Sequence, residues 1–192
     1  MRSRSNRVCG VDEAGRGPIA GPVVAAAVLL PERFYHPLCR DSKTLSEKKR
    51  EEAYRLIKEV AVAIGVGIVG PKVIDRINIR NATFRAMMLA TRRLKVKPNL
   101  FLVDGFDIPS FPFPQVGIVN GDACEIAISA ASIIAKVTRD RIMLKLHRRY
   151  PDYGFNTNKG YPTRYHLKRL KELGPTPIHR FSFRPVRDVT KR

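Results

Sequence analysis

The sequence predicts an α/β fold in which a mixed five-stranded sheet is flanked by helices and followed by a C-terminal helical extension. Apolar runs of strand length recur along the chain, which is the pattern of buried strands. The first strands are joined by short connections, as antiparallel neighbours are, whereas later strands are separated by helical segments, as parallel neighbours are. We therefore expect a core at residues 1–150, with a helix and basic tail at 151–192 packing beside the functional site.

Breakers and apolar runs define the predicted strands. Gly21-Pro22 and Pro31 bound the second run, and the third is rich in Val, Ile and Gly. The fourth, Leu100-Phe101-Leu102-Val103, is continuously apolar, which is typical of a central strand covered on both faces. The predicted strands are residues 8–12, 23–30, 60–69, 100–103 and 115–119.

Capping residues and apolar periodicity define the predicted helices. Ser46 suits the N-cap of the first helix, and Tyr150-Pro151 ends the longest one. From Gly174 onward the chain is Pro-rich and basic, so we expect it to lie over the surface. The predicted helices run from 47 to 59, through a short piece after Pro71, from Asn81 to 94, from Asn120 to 149 and from 163 to 173.

The composition indicates a globular protein with a polyanionic partner. Hydrophobic residues make up 44% of the 192-residue chain, and 36 Lys and Arg stand against 17 Asp and Glu, a net charge of +19. Adaptation to heat would raise acids and bases together, so nucleic acid is the favoured partner. Cys9, Cys39 and Cys124 form neither a zinc pattern nor a disulfide framework. We expect free thiols, no membrane partner and a cytoplasmic protein.

Four acids lie at strand ends or at a helix start, where active sites of α/β sheets tend to lie. Asp12 and Glu13 end the first strand, Asp104 ends the fourth, and Asp122 stands at a helix start. Singly, these acids also suit turns or an N-cap. Together, at one edge of a very basic protein, they favour a site for Mg²⁺ or Mn²⁺ and two-metal phosphoryl chemistry.

Other residues are weighed by position. Ser129, Ser132 and Lys136 share one arc of the long helix with Asp122, so they would line a phosphate path. Tyr161, in a basic loop, suits either stacking on a base or sugar or fastening the C-terminal helix. Asp140 lies too far along the helix from Asp122 to join the acids, and a salt bridge is expected there. Lys43, Arg16, Gly15 and Gly17 are candidates to meet a phosphate backbone. His147, His166 and His179 show no metal spacing, and we expect them at the surface or beside phosphates.

The motifs resemble those of the ribonuclease HII family over about residues 9–186. They are Gly10-Val11-Asp12-Glu13-Ala14-Gly15-Arg16-Gly17, Asp41-Ser42-Lys43, Val103-Asp104-Gly105, Gly121-Asp122, Ala130-Ala131-Ser132-Ile133-Ile134-Ala135-Lys136, Lys159-Gly160-Tyr161-Pro162-Thr163 and His179-Arg180 before Ser182-Phe183. The resemblance implies a ribonuclease H-like fold and an endonuclease that acts on RNA–DNA hybrids. It also implies cleavage 5′ of single ribonucleotides in duplex DNA, leaving 3′-hydroxyl and 5′-phosphate ends.

The same resemblance assigns roles to residues. Asp12, Glu13, Asp104 and Asp122 would be catalytic and would bind one or two Mg²⁺ or Mn²⁺ ions. Gly15-Arg16-Gly17 would contact the ribose 2′-OH and the backbone, and Tyr161 would stack on the sugar at the junction. The phosphates would be held by Lys43 and Lys136.

Two other classes of protein stay open at the level of sequence. One is a metal-dependent nuclease of the same fold that needs no 2′-OH, and the other is a non-catalytic module that binds hybrids without metal. We expect a monomer, and the sequence does not decide whether a sliding clamp binds it.

Overall fold

The computed structural model describes residues 7–39 and 45–191 and contains one mixed five-stranded sheet. The strand order is β3-β2-β1-β4-β5; β1, β2 and β3 pair antiparallel, whereas β4 pairs parallel with both β1 and β5. The predicted α/β class and mixed sheet are therefore confirmed. The strands are β1 Val8–Ala14, β2 Val23–Leu29, β3 Ala63–Val69, β4 Leu100–Asp104 and β5 Gln115–Ile118.

Helices cover both faces of the sheet. Alternate residues of a strand point to opposite faces, so the odd-numbered β2 residues Val23, Ala25 and Ala27 pack with α2, and Ala26 and Val28 pack with α1 and α4. The helices are α1 Glu47–Val60, α2 Pro71–Arg92, α3 Gly121–Cys124, α4 Ile126–Arg149, α5 Phe155–Asn158, α6 Arg164–Leu173 and α7 Arg184–Thr190.

Two predicted helix boundaries were wrong, and each has a local cause. Within α2 the break lies at Asn78, whose φ of 63° is left-handed and whose side chain accepts from the Asn81 N–H at 3.1 Å. Asn78, not Asn81, is thus the capping residue. The predicted helix 120–149 is interrupted at Glu125, which has extended φ and ψ, so that α3 and α4 are separate.

The C-terminal segment from Gly174 onward lies mostly over the surface, as predicted, but three of its residues are buried. It also forms α7, from which Val186 packs with Ile19 and Leu170. His179 and Arg180 are fully buried. The N-cap predicted at Ser46 is confirmed, with its hydroxyl accepting from the Lys49 N–H.

Helix α4 lies close against strand β1, which carries Asp12. Gly10, Asp12 and Ala14 share the β1 face turned toward α4. A Cβ on Gly10 would lie 2.0 Å from the carbonyl carbon of Ala127, a backbone atom that cannot move aside. Only glycine at this position therefore lets the start of α4 lie directly on the strand that carries Asp12.

Within the described residues, no helix is both long and apolar enough to cross a membrane.

We expect Gly10→Ala to lower the free energy of unfolding by about 3 kcal/mol, since the added methyl overlaps backbone of α4. Urea unfolding followed by circular dichroism measures the change. Gly70→Ala is the matched control, because a Cβ there meets nothing within 4 Å. Equal losses for the two variants would contradict the close packing of α4 on β1.

Candidate functional site

The ends of β1 and β4 bring three predicted acids to one corner of the sheet. These strands are parallel, and Val11 pairs with Val103, so Asp12 and Asp104 each follow one residue later at the same edge. Glu13 is the next residue of β1. The negative charges of Glu13 and Asp104 both raise the pKa of Asp12, so the three carboxylates lie close enough to repel one another.

Asp12 is the most enclosed of these three acids, with 5% of its surface exposed. Its Oδ1 accepts a 2.6 Å hydrogen bond from the Glu13 N–H, and the Ser132 hydroxyl of α4 also donates to it. Burial raises the pKa of Asp12 well above the ordinary aspartate value, and the charges of Glu13 and Asp104 raise it further. Keeping Asp12 ionised therefore costs free energy, and a bound cation would offset that cost.

Glu13 responds to neighbours of both signs. Burial raises its pKa first; the Arg16 guanidinium opposes this shift, and Asp104 adds to it. The Arg16 Nη1 lies 3.5 Å from Glu13 Oε1, but 59% of the Arg16 side chain is exposed. Arg16 thus offsets part of the acidic repulsion while most of its side chain remains open to a ligand.

The short helix that carries Asp122 lies against the same corner of the sheet. Asp122 lies in α3 and is 3% exposed. A Cβ on its neighbour Gly121 would lie 3.5 Å from Asp104 Oδ1, so α3 contacts the end of β4 directly. The break at Glu125 means that Asp122 lies in the separate helix α3 and does not begin the long helix, contrary to the prediction.

The donor set at this corner suits a hard cation. Every candidate ligand is a carboxylate oxygen, the preference of Mg²⁺ and Mn²⁺. Within residues 7–39 and 45–191, however, no three His, Cys, Asp or Glu side chains are arranged as a group that could hold a metal ion. Mg²⁺ commonly takes one or two carboxylates and completes its shell with water and substrate phosphate. The residues fit such a partial, substrate-completed site.

A cavity of about 400 Å³ adjoins the acids. Gly15-Arg16-Gly17 forms one wall, and Lys136 and Tyr161 face it from α4 and the C-terminal segment. A Cβ on Gly17 would lie 3.5 Å from Tyr161 Cε1, so the tyrosine ring lies beside the glycine turn. The structure thus brings together every predicted substrate-binding residue except Lys43, which lies outside the described residues.

Lys136 is held in place at the cavity. Its Nζ lies 2.9 Å from Asp140 Oδ1, one helical turn further along α4. The salt bridge predicted for Asp140 is confirmed. Arg50 of α1 also lines the cavity and was missed, because nothing in its sequence setting distinguishes it from other surface bases.

Four basic residues beside or behind the cavity are buried, which was not predicted. They are Arg139, His166, His179 and Arg180, each at most 1% exposed. Their side chains hydrogen-bond to backbone carbonyls or to one another, and residue type alone does not reveal such contacts. The predicted surface position of His166 and His179 is wrong. The burial of His166 could have been predicted, because it lies on the same face of α6 as the apolar Leu170.

Comparison with protein families gives a match to the Ribonuclease HII model over residues 9–186. Among curated proteins, Ribonuclease HII of Bacillus anthracis is 54% identical over 185 residues, covering 96% of this chain and 72% of the relative. Ribonuclease HII of Bacillus thuringiensis strain Al Hakam matches with the same identity and coverage.

Solved structures share the architecture. Ribonuclease H2 from Pyrococcus horikoshii aligns with a TM-score of 0.83 and 30% identity, covering 97% of this chain and 98% of that one. RNase HII of Archaeoglobus fulgidus, solved as a complex with PCNA, aligns at 0.77 and 26% identity, covering 93% and 95%. Bst-RNase HIII, solved with Mn²⁺, aligns at 0.71 and 17% identity, covering 97% and 70%; at that identity only the fold is shared.

We expect Asp12→Asn to raise the free energy of unfolding by about 0.5–2 kcal/mol at neutral pH when EDTA removes divalent cations. Asparagine keeps the Oδ1 acceptor for the Glu13 N–H but removes a buried charge that Glu13 and Asp104 repel. Because the pKa of Asp12 is raised on folding, the wild type loses stability as pH rises above the ordinary aspartate pKa. The advantage of the variant should therefore shrink toward acidic pH.

Denaturant unfolding at several pH values checks this expectation. Asp188→Asn, at an exposed carboxylate in α7, is the control and should change stability by no more than about 0.5 kcal/mol. An Asp12→Asn protein that is less stable than wild type at neutral pH would refute the repulsion.

Proposed function

The chain belongs to the ribonuclease HII family and is a nuclease hydrolase; from that premise we propose that it cleaves the RNA strand of RNA–DNA hybrids. We further propose that it cuts 5′ of single ribonucleotides embedded in duplex DNA and leaves 3′-hydroxyl and 5′-phosphate ends. One observation carries the proposal. The acidic corner at Asp12 and Asp104 adjoins the same cavity that the glycine turn and Tyr161 line.

Asp12, Glu13, Asp104 and Asp122 are the proposed catalytic and metal-binding acids. When bound, one or two Mg²⁺ or Mn²⁺ ions supply charge neutralisation at the phosphate and lower the pKa of water. The protein's part is to hold the carboxylates at one sheet edge, where Ser132 and the Glu13 N–H fix the orientation of Asp12. Hydrolysis breaks the bond between phosphorus and the 3′ oxygen, and a water oxygen takes its place on the 5′-phosphate product.

Gly15-Arg16-Gly17 and Tyr161 are the proposed readers of the ribose. A turn containing two glycines lets backbone groups approach a sugar closely. The ribose 2′-OH both donates and accepts hydrogen bonds, so backbone groups can distinguish it from a deoxyribose. Tyr161, 44% exposed beside Gly17, presents a ring edge and face to the next sugar.

Charge supports the choice of a nucleic-acid substrate. The net charge of +19 draws a polyanion, and Lys136 stands at the cavity, where Asp140 orients its ammonium group. Lys136 and Lys43 are proposed to hold phosphates of the substrate. The division into a core, residues 1–150, and an extension, 151–192, is likewise proposed, with Tyr161 as the extension's contribution. A monomer acting in the cytoplasm is sufficient for these roles.

The direct test uses a DNA duplex that contains a single ribonucleotide. We expect one cut on the 5′ side of the ribonucleotide in the presence of Mg²⁺ or Mn²⁺, and none after chelation. An all-DNA duplex of the same sequence should stay intact, because it lacks the 2′-OH. Cutting of both duplexes would indicate a nuclease that does not read the sugar, and binding without cutting would indicate a hybrid-binding module.

We expect Asp104→Asn to reduce the cleavage rate by at least about 100-fold while leaving the affinity for the ribonucleotide duplex nearly unchanged. The variant removes one negative oxygen donor but preserves the shape of the β4 end. Gel-resolved cleavage and fluorescence anisotropy measure the two quantities, with Asp107→Asn, in the loop three residues later, as the control. Near-normal turnover by Asp104→Asn would remove that residue from the proposed acids.

A further inference from the structure

The His179-Arg180 dipeptide passes directly behind the wall of the cavity. Ala20 and His179 form a β-bridge, and the Arg180 N–H donates to the Ile19 carbonyl at 2.8 Å. Both side chains are fully buried, and neither lines the cavity. The dipeptide is thus attached to the loop that follows Gly17, about 160 residues earlier in the chain.

Arg180 fixes the orientation of two consecutive peptide groups in the glycine turn. Its Nη2 donates to the Gly15 carbonyl at 2.6 Å and its Nη1 to the Arg16 carbonyl at 2.8 Å. Its Nε donates to the Gly21 carbonyl at 3.0 Å, so one guanidinium joins both ends of the loop. The planar fork presents these donors in fixed directions, which an ammonium group cannot reproduce.

Those bonds determine where the turn directs its N–H groups. In a trans peptide the C=O and the following N–H point in opposite directions. Holding the Gly15 and Arg16 carbonyls toward Arg180 therefore turns the N–H groups of Arg16 and Gly17 away from it. Within the described residues neither of these N–H groups donates a hydrogen bond. Consecutive N–H groups of this kind form a concave site for an oxygen ligand.

His179 acts on the opposite wall through a second histidine. The Thr176 N–H donates to His179 Nδ1 at 2.9 Å, so the proton of the neutral ring lies on Nε2. That Nε2 lies 3.0 Å from His166 Nε2, which must accept, and His166 Nδ1 then donates to the Tyr161 carbonyl at 2.8 Å. Every bond in this relay requires neutral rings of defined tautomer.

The surroundings favour those neutral rings. Burial lowers the pKa of His166, and burial together with the proximity of His166 lowers the pKa of His179 to about 4. Tyr153 and Phe155 enclose the pair, with ring centroids 5.1 and 5.2 Å from His179 and His166 respectively. The relay is therefore intact at neutral pH.

We propose that His179 and Arg180 are positioning residues for ribose recognition, Arg180 through the Gly15-Arg16-Gly17 turn and His179 through His166 and Tyr161. This inference rests on the proposed function, since it concerns the site that would read the sugar. Neither residue touches the substrate. Their joint effect is to fix the spacing between the turn and Tyr161, which come from opposite ends of the chain.

The test measures affinity and turnover separately. For Arg180→Lys we expect KM for the single-ribonucleotide duplex to rise about 10- to 100-fold, with a smaller change in kcat, because the acidic corner is left in place. In an Asp104→Asn background, anisotropy should show that Arg180→Lys loses the preference for the ribonucleotide duplex over the all-DNA duplex. Ser182→Ala is the control: it removes the Oγ bond to Asp75 in the same segment without touching either wall.

Two substitutions at His179 test the hydrogen-bond relay through His166. His179→Asn keeps an acceptor for the Thr176 N–H but cannot reach His166, so KM should rise. His179→Gln places an amide donor near the original Nε2 and should restore KM toward the wild-type value. Circular dichroism confirms folding for each variant; if Arg180→Lys does not fold, the two His179 variants decide the matter.

The proposal is overturned if folded Arg180→Lys and His179→Asn match Ser182→Ala in KM and in discrimination. It is overturned equally if His179→Gln fails as completely as His179→Asn, since a donor at the Nε2 position would then not account for the effect of His179. The wild-type reaction separates this failure from that of the proposed function. A wild type that does not distinguish the two duplexes refutes sugar recognition itself, whereas unchanged variants of a discriminating wild type refute only the positioning.

Discussion

The direct contact of α4 with β1 across Gly10 is the constraint on which the site depends. A side chain at Gly10 would overlap the backbone of Ala127, so the helix can lie on the strand only because that side chain is absent. The same contact places Ser132 against Asp12, and one and two turns later Lys136 and Arg139 beside the cavity. The absence of a side chain at Gly10 therefore permits the short distance between the acidic corner and Lys136 and Arg139 of α4.

Acidic and basic side chains occupy separate regions that lie close together around the glycine turn. At the sheet edge Glu13 and Asp104 raise the pKa of the buried Asp12, and Asp104 raises that of Glu13, adding in both cases to the larger effect of burial. Behind the glycine turn, Arg139 and Arg180 are buried on backbone carbonyls, and burial together with Arg139 lowers the pKa of Arg180 to about 9. Both arrangements cost stability in the protein alone. The clustered acids and the buried arginines are explained if a bound cation and a phosphate backbone complete the site. Catalytic centres typically give up stability for function in this way.

The fold and the positions of Asp12 and Asp104 at strand ends could be predicted because their signals are local. Strand-length apolar runs, and Asp104 directly after one of them, depend only on neighbouring residues. The break at Glu125 could not be predicted, since it follows from packing α3 against the end of β4 while α4 packs against β1. The buried roles of His179 and Arg180 depend on contacts with residues about 160 positions earlier. In a chain with 36 Lys and Arg, sequence alone does not distinguish the few that are buried from the many that are solvated.

The most direct measurement is a titration with Mn²⁺ followed by electron paramagnetic resonance, with and without a bound duplex that contains a single ribonucleotide. The acids do not form a closed metal cage among the described residues, and we propose that substrate phosphate completes their site. We therefore expect weak Mn²⁺ binding by the protein alone and at least about 10-fold tighter binding when the duplex is present, by linkage. A duplex of DNA alone should give a smaller gain. Equal Mn²⁺ affinity with and without the ribonucleotide duplex would contradict a metal site that substrate completes.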